Sequence, residues 1–255
     1  MYKARREEIK EIIQSKPFIT LNELEEKFPQ VSSMTLRRDI EYFENLGEVI
    51  KVRGGARSMK FIKNSLEDSY EFRITENIEA KHKICEKALE FIESGRSIFL
   101  DSGTTVMTLA EMLKDEHLII TTTAPITAVK LLKNKNIIVN LVGGMVGRDN
   151  ISVSGTQATD YLKSINIDTA FIVPSGFSLQ NGFTSGNYSE CEVKKLIVSK
   201  ARKKIMLMDA QKLDRSLPYT FANIHNIDII ITNIRLSEEI TDLADKSNTR
   251  IIIAQ

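Results

Sequence analysis

Short apolar segments alternate with amphipathic segments over the last two-thirds of the chain, and this alternation constrains the fold more than any other feature. The apolar segments have the length of buried strands and are rich in β-branched residues. The segments between them carry apolar residues at helical spacing. Strands are predicted at 97–100, 118–122, 137–142, 169–173, 205–208, 227–231 and 250–253, and helices at 81–93, 105–113, 126–132, 156–163, 189–201 and 237–246. The pattern predicts an α/β fold with a mostly parallel sheet covered on both faces.

The beginning of the chain shows a different pattern. Apolar residues at helical spacing predict a helix at 5–15, and Pro17 ends it because proline has no amide hydrogen. Thr20 and Glu23 form the signature of a capping box, in which each side chain satisfies an unpaired amide at the start of a helix. This second helix stops at Pro29.

A third helix is predicted after a short turn, with Ser32 or Ser33 as its N-cap. Its inward-facing residues are Leu36, Ile40 and Phe43. Their spacings of four and three place them on one side, against the first two helices. Gly47 follows the helix and suits its C-terminal cap, where glycine is the preferred residue.

A hairpin is predicted next. The β-prone segments 48–53 and 56–59 flank Gly54 and Gly55, and glycine accepts the positive φ of a tight hairpin turn. Two helices, a turn, a third helix and a hairpin form the order of a winged helix-turn-helix.

Beyond the hairpin the sequence becomes polar and charged. The predicted boundaries are 1–58 for the winged helix-turn-helix, 59–75 for a linker and 76–255 for the α/β domain.

The composition excludes some functions without selecting one. The net charge is +1, and residues 1–57 hold 11 basic and 10 acidic side chains, so bulk charge does not indicate a nucleic-acid partner. The two cysteines and three histidines are scattered, and we predict no disulfide, metal site or cofactor. The sequence shows no signal peptide and no apolar run long enough for a membrane span, so we expect a cytoplasmic protein without a membrane partner.

The third predicted helix presents cationic and hydroxyl groups on its outer side. The helical step places Met34 and Arg38 opposite the inward-facing residues, with Thr35 and Arg37 on the flanks. A recognition helix contacts bases and phosphates through such groups. A solvated surface would also carry two arginines, but the capped helix before them and the hairpin after them favour DNA binding. The predicted DNA contacts are Ser32, Ser33, Thr35, Arg37 and Arg38 on the helix, with Lys51, Arg53, Gly54, Gly55 and Arg57 on the wing.

A hydroxyl-rich turn joins the first predicted strand of the α/β domain to the helix after it. The turn consists of Asp101, Ser102, Gly103, Thr104 and Thr105. A turn of this kind directs free amides and the positive end of a helix at a bound anion, which is phosphate-binding chemistry. It lacks the Gly-Lys-Ser/Thr of a Walker loop, and a capped helix start without any ligand is the alternative.

Residues 31–56, VSSMTLRRDIEYFENLGEVIKVRGGA, resemble the DNA-binding signature of the DeoR family of transcriptional regulators. The family commonly has V-S-x-x-T-[IL]-R-R-D-[LI], then a Leu-Gly break and a wing ending in H-G-G-A. Arg53 stands where the family usually has histidine, which keeps the wing cationic.

Five later segments fall in the order and spacing of the DeoR sensor domain: IFLDSGTT, LVGG, SVSG, TAFIVPSGF and LMDAQK. The resemblance implies a domain similar to sugar-phosphate isomerases, with an effector held over the strand ends. It adds four candidate effector contacts, at Gly143, Gly144, Lys194 and Lys212. Lys212 is the preferred lysine because it follows a strand end beside a turn, and Arg148 is a weaker candidate. Ala124 stands where the family often has asparagine, so the resemblance does not identify the effector.

A sugar-phosphate isomerase or deaminase-like enzyme with an added DNA-binding domain is the alternative function. Aldose–ketose isomerisation needs a carboxylate that moves a proton between adjacent carbons. Ribose-phosphate isomerases have a D-G-A-D-E run at a strand end, and the corresponding residues here, 174–178, include no carboxylate. Asp101, Glu190 and Glu192 keep the alternative open.

The sequence therefore predicts a regulator that is not an enzyme. We expect a repressor of a sugar or polyol utilisation operon, which leaves its operator DNA when it binds a phosphorylated sugar. A single winged helix contacts few phosphates, so we also expect a homodimer or homotetramer assembled through the sensor domain.

Overall fold

The computed structural model describes residues 2–16, 18–52, 54–59 and 70–255. The chain divides into two compact units, Met1–Leu66 and Glu67–Gln255. The predicted linker 59–75 lies mostly outside the described residues, but its last six residues form a helix, Tyr70–Thr75. Tyr70 is buried there, so this part of the linker prediction is wrong: the polar composition of the segment hides one residue that packs inward.

The first unit has three helices and a three-stranded antiparallel sheet. Its elements are α1 (Tyr2–Ser15), β1 (Phe18–Thr20), α2 (Leu21–Lys27), α3 (Ser33–Asn45), β2 (Val49–Val52) and β3 (Gly55–Ser58). The strand order is β1-β3-β2. The three predicted helices and the hairpin are thus confirmed, whereas β1 was not predicted because three residues are too few to show a periodic pattern.

Capping side chains fix where α2 and α3 begin. The Thr20 side chain accepts a hydrogen bond from Glu23 N, and the Glu23 carboxylate accepts one from Thr20 N, so the predicted capping box is present. The hydrogen bond from Lys16, together with those from Thr20, lowers the pKa of Glu23 to about 2. Ser32, rather than Ser33, caps α3 by accepting from Thr35 N.

The core of this unit lies between the helices and the small sheet. The predicted inward-facing residues of α3 are all buried: Leu36, Ile40 and Phe43. They pack in one cluster with Ile9 and Leu24, which come from α1 and α2. Gly47 follows α3 with a φ of 71°, and its amide donates to Glu44 O, as expected of a left-handed C-terminal cap.

The two glycines of the hairpin have different reasons to be glycine. Gly54 has a φ of 85° and occupies the turn as predicted. Gly55 has no positive φ, which corrects the prediction that both glycines supply it. A Cβ on Gly55 would lie 2.0 Å from Ile19 O, so this glycine instead permits β3 to approach β1 closely.

The second unit is built on a seven-stranded parallel sheet. Its first half contains α4 (Tyr70–Thr75), α5 (Ile78–Leu89), β4 (Ser97–Leu100), α6 (Thr104–Met112), β5 (Leu118–Thr122), α7 (Pro125–Leu131), β6 (Ile137–Leu141), β7 (Met145–Gly147), β8 (Ser152–Ser154), α8 (Thr156–Ser164) and β9 (Thr169–Ile172). Its second half contains β10 (Gly176–Ser178), β11 (Gly182–Ser185), α9 (Tyr188–Lys200), β12 (Lys203–Met208), β13 (Tyr219–Ala222), β14 (Ile229–Thr232), α10 (Glu238–Lys246) and β15 (Arg250–Ile253). The order of the large sheet is β15-β14-β12-β9-β4-β5-β6, which confirms the predicted α/β fold.

Alternate residues of each strand serve two separate cores, one on each side of the sheet. Ile98 and Leu100 of β4 pack with α5, α6 and α7, whereas Phe99 packs with α8, α9 and α10. The strands are therefore mostly apolar along their length, which is why their positions are readable from the sequence. None of the helices in the described residues is long and apolar enough to cross a membrane.

Two smaller sheets lie beside the large one and were not predicted. β7 pairs with β8, and β10, β11 and β13 form a second antiparallel sheet. Their strands are three or four residues long, and β7, β10 and β11 contain glycine. Gly176 and Gly182 stand where a Cβ would overlap backbone oxygens of Arg215 and Ala222. Glycine marks close approach here rather than a loop.

Candidate nucleic-acid interface and anion cleft

The outer side of α3 presents the cationic surface that the sequence predicts. Arg37 and Arg38 are exposed, as is Met34, and Thr35 is half-buried. Ser32 and Ser33 are exposed at the helix start, where the Ser32 and Thr35 hydroxyls lie 2.9 Å apart. The two arginines thus stand free of the core at the end of the helix where a recognition helix meets DNA.

A buried aspartate, which sequence reasoning missed, fixes α3 against α1. Asp39 accepts hydrogen bonds from Arg5 Nε at 2.7 Å and from Arg6 Nε at 2.8 Å. The guanidinium of Arg6 also lies over the ring of Tyr42, 3.6 Å from its centroid. Position 39 is three residues beyond Leu36 and therefore on the inward side, which is the sequence signal for a buried ion pair.

The wing residues are placed less uniformly. Lys51 is exposed, and its ammonium lies 2.6 Å from Glu41 Oε1, an interaction that lowers the pKa of Glu41. Gly54 and Arg57 are exposed, but Gly55 is buried against β1, so it shapes the wing. Arg53 lies outside the described residues.

A narrow cleft opens at the carboxyl end of β4, next to the start of α6. Gly103, Thr104 and Thr105 line it, with Lys212 at its edge. The first backbone hydrogen bond of α6 joins Met107 N to Gly103 O, so the amides before it have no partner in the helix. The other lining residues are Phe72, Arg73, Glu76, Asn77, Lys81, Val173, Pro174, Asp209 and Gln211.

Asp101, at the base of the turn, is fully engaged with the protein. One carboxylate oxygen accepts from Ser102 N at 2.8 Å, and the other accepts from Val173 N at 3.0 Å and from the Lys194 ammonium. Lys194 is buried and also donates to Val173 O. Asp101 and Lys194, both expected at the effector, therefore form a buried ion pair behind the turn, with Ser102 buried beside them.

Two cations of the cleft were not predicted: Arg73 lies in the predicted linker, and Lys81 stands at the start of the first predicted helix of the α/β domain. Arg73 belongs to α4, and its guanidinium donates to Asn150 Oδ1. Lys81 of α5 is buried, and its ammonium donates to the carbonyl oxygens of Arg73 and Glu76, the latter at 2.6 Å. Burial lowers the pKa of Lys81. Its position on the inner side of a predicted helix was the available signal.

The structure separates the two predicted effector loops. Gly143 and Gly144 follow β6 and are exposed, and neither is among the residues that line the cleft. A Cβ on Gly144 would lie 2.6 Å from Ser154 O, and its φ is 146°, so the loop requires glycine for its own packing. Arg148 is exposed further along the same region.

The carboxylates that an enzyme would use have other partners. Glu190 accepts from Asn150 Nδ2 and from the Ser152 hydroxyl, and Glu192 pairs with Lys195 at 2.9 Å. Within the described residues, no group of three or more histidine, cysteine, aspartate or glutamate side chains is arranged to hold a metal ion.

Models of two protein families match the chain. The DeoR-like helix-turn-helix domain matches residues 5–61, and the DeoR C terminal sensor domain matches residues 76–234. The chain belongs to the DeoR family. It is accordingly a DNA-binding transcriptional regulator rather than an enzyme.

DeoR-family relatives match over nearly their whole length. The HTH-type transcriptional regulator IolR of Bacillus subtilis is 32% identical over 98% of each chain. The lactose phosphotransferase system repressor of Streptococcus mutans is 30% identical over 94% of this chain and 95% of its own. The HTH-type transcriptional regulator GolR of Listeria innocua is 29% identical over 92% and 91%.

Among solved structures, a D-ribose-5-phosphate isomerase in complex with phospho-erythronic acid matches 53% of each chain, with 19% identity and a TM-score of 0.40. A similarity of this size carries no argument about function.

Proposed function

We propose that the chain represses a sugar or polyol utilisation operon in the cytoplasm, and that a phosphorylated sugar bound in the cleft at α6 releases it from operator DNA. The names of its relatives support the class of operon, since one of them is a repressor of a lactose phosphotransferase system. Direct support comes from the side chains of the cleft itself.

The observation that carries the proposal is a set of cations around a helix start. Lys81, Lys212 and Arg73 line the same cleft as the amides at the start of α6. Unpaired amides and the positive helix end stabilise a phosphate group, and ammonium groups balance its charge. A helix start that serves only as a capped turn would need no such cations.

The remaining polar groups suit the hydroxyls of a sugar. Thr104 and Thr105 supply hydroxyl groups beside the amides, and Glu76 and Asp209 are also among the lining residues. Acceptors and donors around one charged anchor would fix the orientation of a polyol phosphate. Asp101 and Lys194 act in this proposal by holding the turn in place.

Operator recognition is assigned to α3 and the wing. Arg37 and Arg38 would contact base edges or phosphates from the exposed side of α3, with Ser32, Ser33 and Thr35 at its start. Lys51, Arg53 and Gly54 would contact the backbone from the wing. We propose a homodimer or homotetramer, because paired half-sites supply the contacts that one winged helix lacks.

Release requires that the effector prefer the arrangement that does not bind DNA. Moving the population from nearly all bound to nearly all free needs a preference of roughly 10⁴-fold between the two states. Two effector sites in a dimer would share this requirement.

The test begins with a thermal-shift screen of phosphorylated sugars and polyols against the whole chain. Duplex DNA selected from a random library by the wild-type protein then serves as the operator, and the hit is titrated into the complex. The double variant Thr104→Val, Thr105→Val keeps side-chain volume but removes two hydroxyls, so it should bind the DNA normally and ignore the effector. Equal release from DNA in both proteins would exclude the turn from the effector site. Turnover of the sugar would contradict a regulator without enzyme activity.

A further inference from the structure

We infer that the outer edge of the sensor sheet, formed by β6, α7 and β7, is the surface on which a second copy of this chain docks. The inference rests on the proposed function only in requiring an oligomer, and it identifies the surface that makes one. We call this surface the β6 edge and define it by six exposed apolar side chains: Val129, Leu132, Ile138, Leu141, Met145 and Val146.

β6 ends the seven-stranded sheet and pairs only with β5 among the described strands. Val142 N donates to Thr122 O on the β5 side, and alternation along the strand directs the N–H and C=O groups of Val139 and Leu141 outward. In the described part of the chain, no backbone group bonds to this outer side. β6 therefore offers a row of free donors and acceptors.

The sequence of β6 lacks the features that normally protect such an edge. Ile137–Leu141 reads IIVNL and contains no charged residue and no proline. Monomeric proteins protect exposed edges with lysine, proline or a bulge, because an unprotected edge pairs with another strand. The opposite edge strand, β15, begins with an exposed arginine, Arg250, and its three isoleucines are half-buried.

The side chains around β6 are apolar on neighbouring elements. The six residues of the β6 edge are 47–70% exposed. On α7, Thr127, Ala128 and Leu131 face inward, so Val129 and Leu132 occupy the outward side. Together the six side chains present on the order of 600 Å² of apolar surface, which flanks β6 on both faces of the sheet because Ile138 points away from the side on which α7 packs.

The size and character of the surface fit a second copy of the chain. A stable interface buries about 800 Å² on each partner, and the apolar side chains of the β6 edge supply most of that area. A two-fold axis beside β6 would pair the strand antiparallel with its own copy and place the same apolar side chains on both sides. The nearest charges of α7 are already paired within the chain, since Lys130 contacts Glu111 at 2.6 Å.

The first experiment places like charges on the β6 edge. In the double variant Leu132→Glu, Met145→Glu, dimerisation measured by sedimentation velocity without DNA should weaken at least 100-fold, while circular dichroism still shows a folded protein. Leu243→Glu is the matched control, since Leu243 is a half-exposed leucine on α10, and it should leave the dimer intact.

The second experiment locates the contact without relying on a destabilising charge. Both native cysteines, Cys85 and Cys191, are buried, so an introduced cysteine is the reactive thiol. Ile138→Cys, Val139→Cys and Asn140→Cys are made one at a time in the whole chain and oxidised. At least one should form a disulfide-linked dimer, because strands paired across a two-fold axis bring equivalent Cα atoms within disulfide reach. Leu243→Cys should not.

The two experiments together decide the inference. Cross-linking along β6 supports it even if the glutamate variant fails to fold. A monomeric wild type at micromolar concentration overturns it, as does a dimer that persists in the glutamate variant while β6 gives no cross-link. A wild type that dimerises in this way but binds no DNA would contradict the proposed function and not the interface.

Discussion

Each unit of the molecule holds a buried, ion-paired aspartate behind its proposed binding surface, Asp39 in the first and Asp101 in the second, and the two differ in their surroundings. Asp39 pairs with two arginines that remain 17–18% exposed and ties α3 to α1. Asp101 pairs with Lys194, which is only 4% exposed, and also accepts hydrogen bonds from two backbone amides. Neither aspartate needs to touch DNA or effector. From this comparison we expect the groups that shape each site to be distinct from the groups that contact DNA or effector.

The largest effect is expected from breaking the drier of the two pairs. Lys194→Met leaves the Asp101 carboxylate buried without its cation, which typically costs about 3–5 kcal/mol. Urea unfolding should show this loss in the free energy of unfolding. Lys163→Met, which breaks the exposed pair with Asp160, is the control and should change stability by about 1 kcal/mol or less. Equal losses in the two variants would mean that burial does not distinguish these pairs.

The pair in the DNA-binding unit should be less costly to break. Asp39→Ala removes two charge-assisted hydrogen bonds, but Arg5 and Arg6 reach water, so we expect a loss of roughly 1.5–3 kcal/mol in the stability of this unit. DNA affinity should also fall, because α3 is no longer held to α1. DNA affinity is measured under conditions in which the variant is fully folded. Normal affinity in a variant that has lost stability would show that Asp39 does not position α3 for DNA binding.

Substitution of a proposed DNA-contact residue should lower DNA affinity without lowering stability, unlike substitution of Asp39 or Lys194. Arg38→Ala should weaken sequence-specific DNA binding by roughly 1–3 kcal/mol and leave the melting temperature unchanged. Gel shifts at low salt with selected and scrambled duplexes measure both affinity and specificity. Arg57→Ala on the wing should act equally on both duplexes and reduce the salt dependence. Unchanged affinity in the Arg37→Ala, Arg38→Ala double variant would disprove the recognition-helix assignment.

The smallest effect concerns an exposed carboxylate. The pKa of Glu23 is lowered to about 2 from an ordinary 4.5, so its contribution to stability is present above pH 4.5 and disappears as the pH falls towards 2. Glu23→Gln should therefore melt with less dependence on pH between 4.5 and 2 than the wild type. Parallel pH curves for the two proteins would show that the capping carboxylate does not couple to folding.

An element can be predicted from the sequence when a single pattern, such as a continuous apolar run or a helical spacing of apolar residues, extends over its whole length. The strands of the large sheet are apolar on both faces, and α3 repeats its buried residues at helical spacing, so both are recognisable. β1, β7 and β10 are only three residues long, and their pairing depends on partners far away in the chain. Gly176 of β10 is needed for its close contact with Arg215 O, and a sequence does not distinguish such a glycine from the glycine of a turn.

Of the two sites, the DNA-binding surface was the easier to predict. Its arginines are exposed on a helix whose inner side is clearly apolar. The cleft draws Arg73 from the predicted linker and Lys81 from the start of the first predicted helix of the α/β domain, and its buried pair Asp101 and Lys194 was expected to contact the effector. The sequence identifies a charged residue but does not show whether it is buried. Only the fold shows which charged side chains have lost contact with water.

Lys81 illustrates what such dehydration brings to a binding site. Folding has already stripped water from its ammonium and replaced it with the carbonyl oxygens of Arg73 and Glu76. An anion bound as proposed would therefore meet a cation that has already lost much of its hydration, and we expect a smaller desolvation penalty for binding. Arg73 lies in the last turn of α4 and Glu76 directly follows that helix, so a ligand bound at Lys81 would act on the ammonium group that also holds the end of α4.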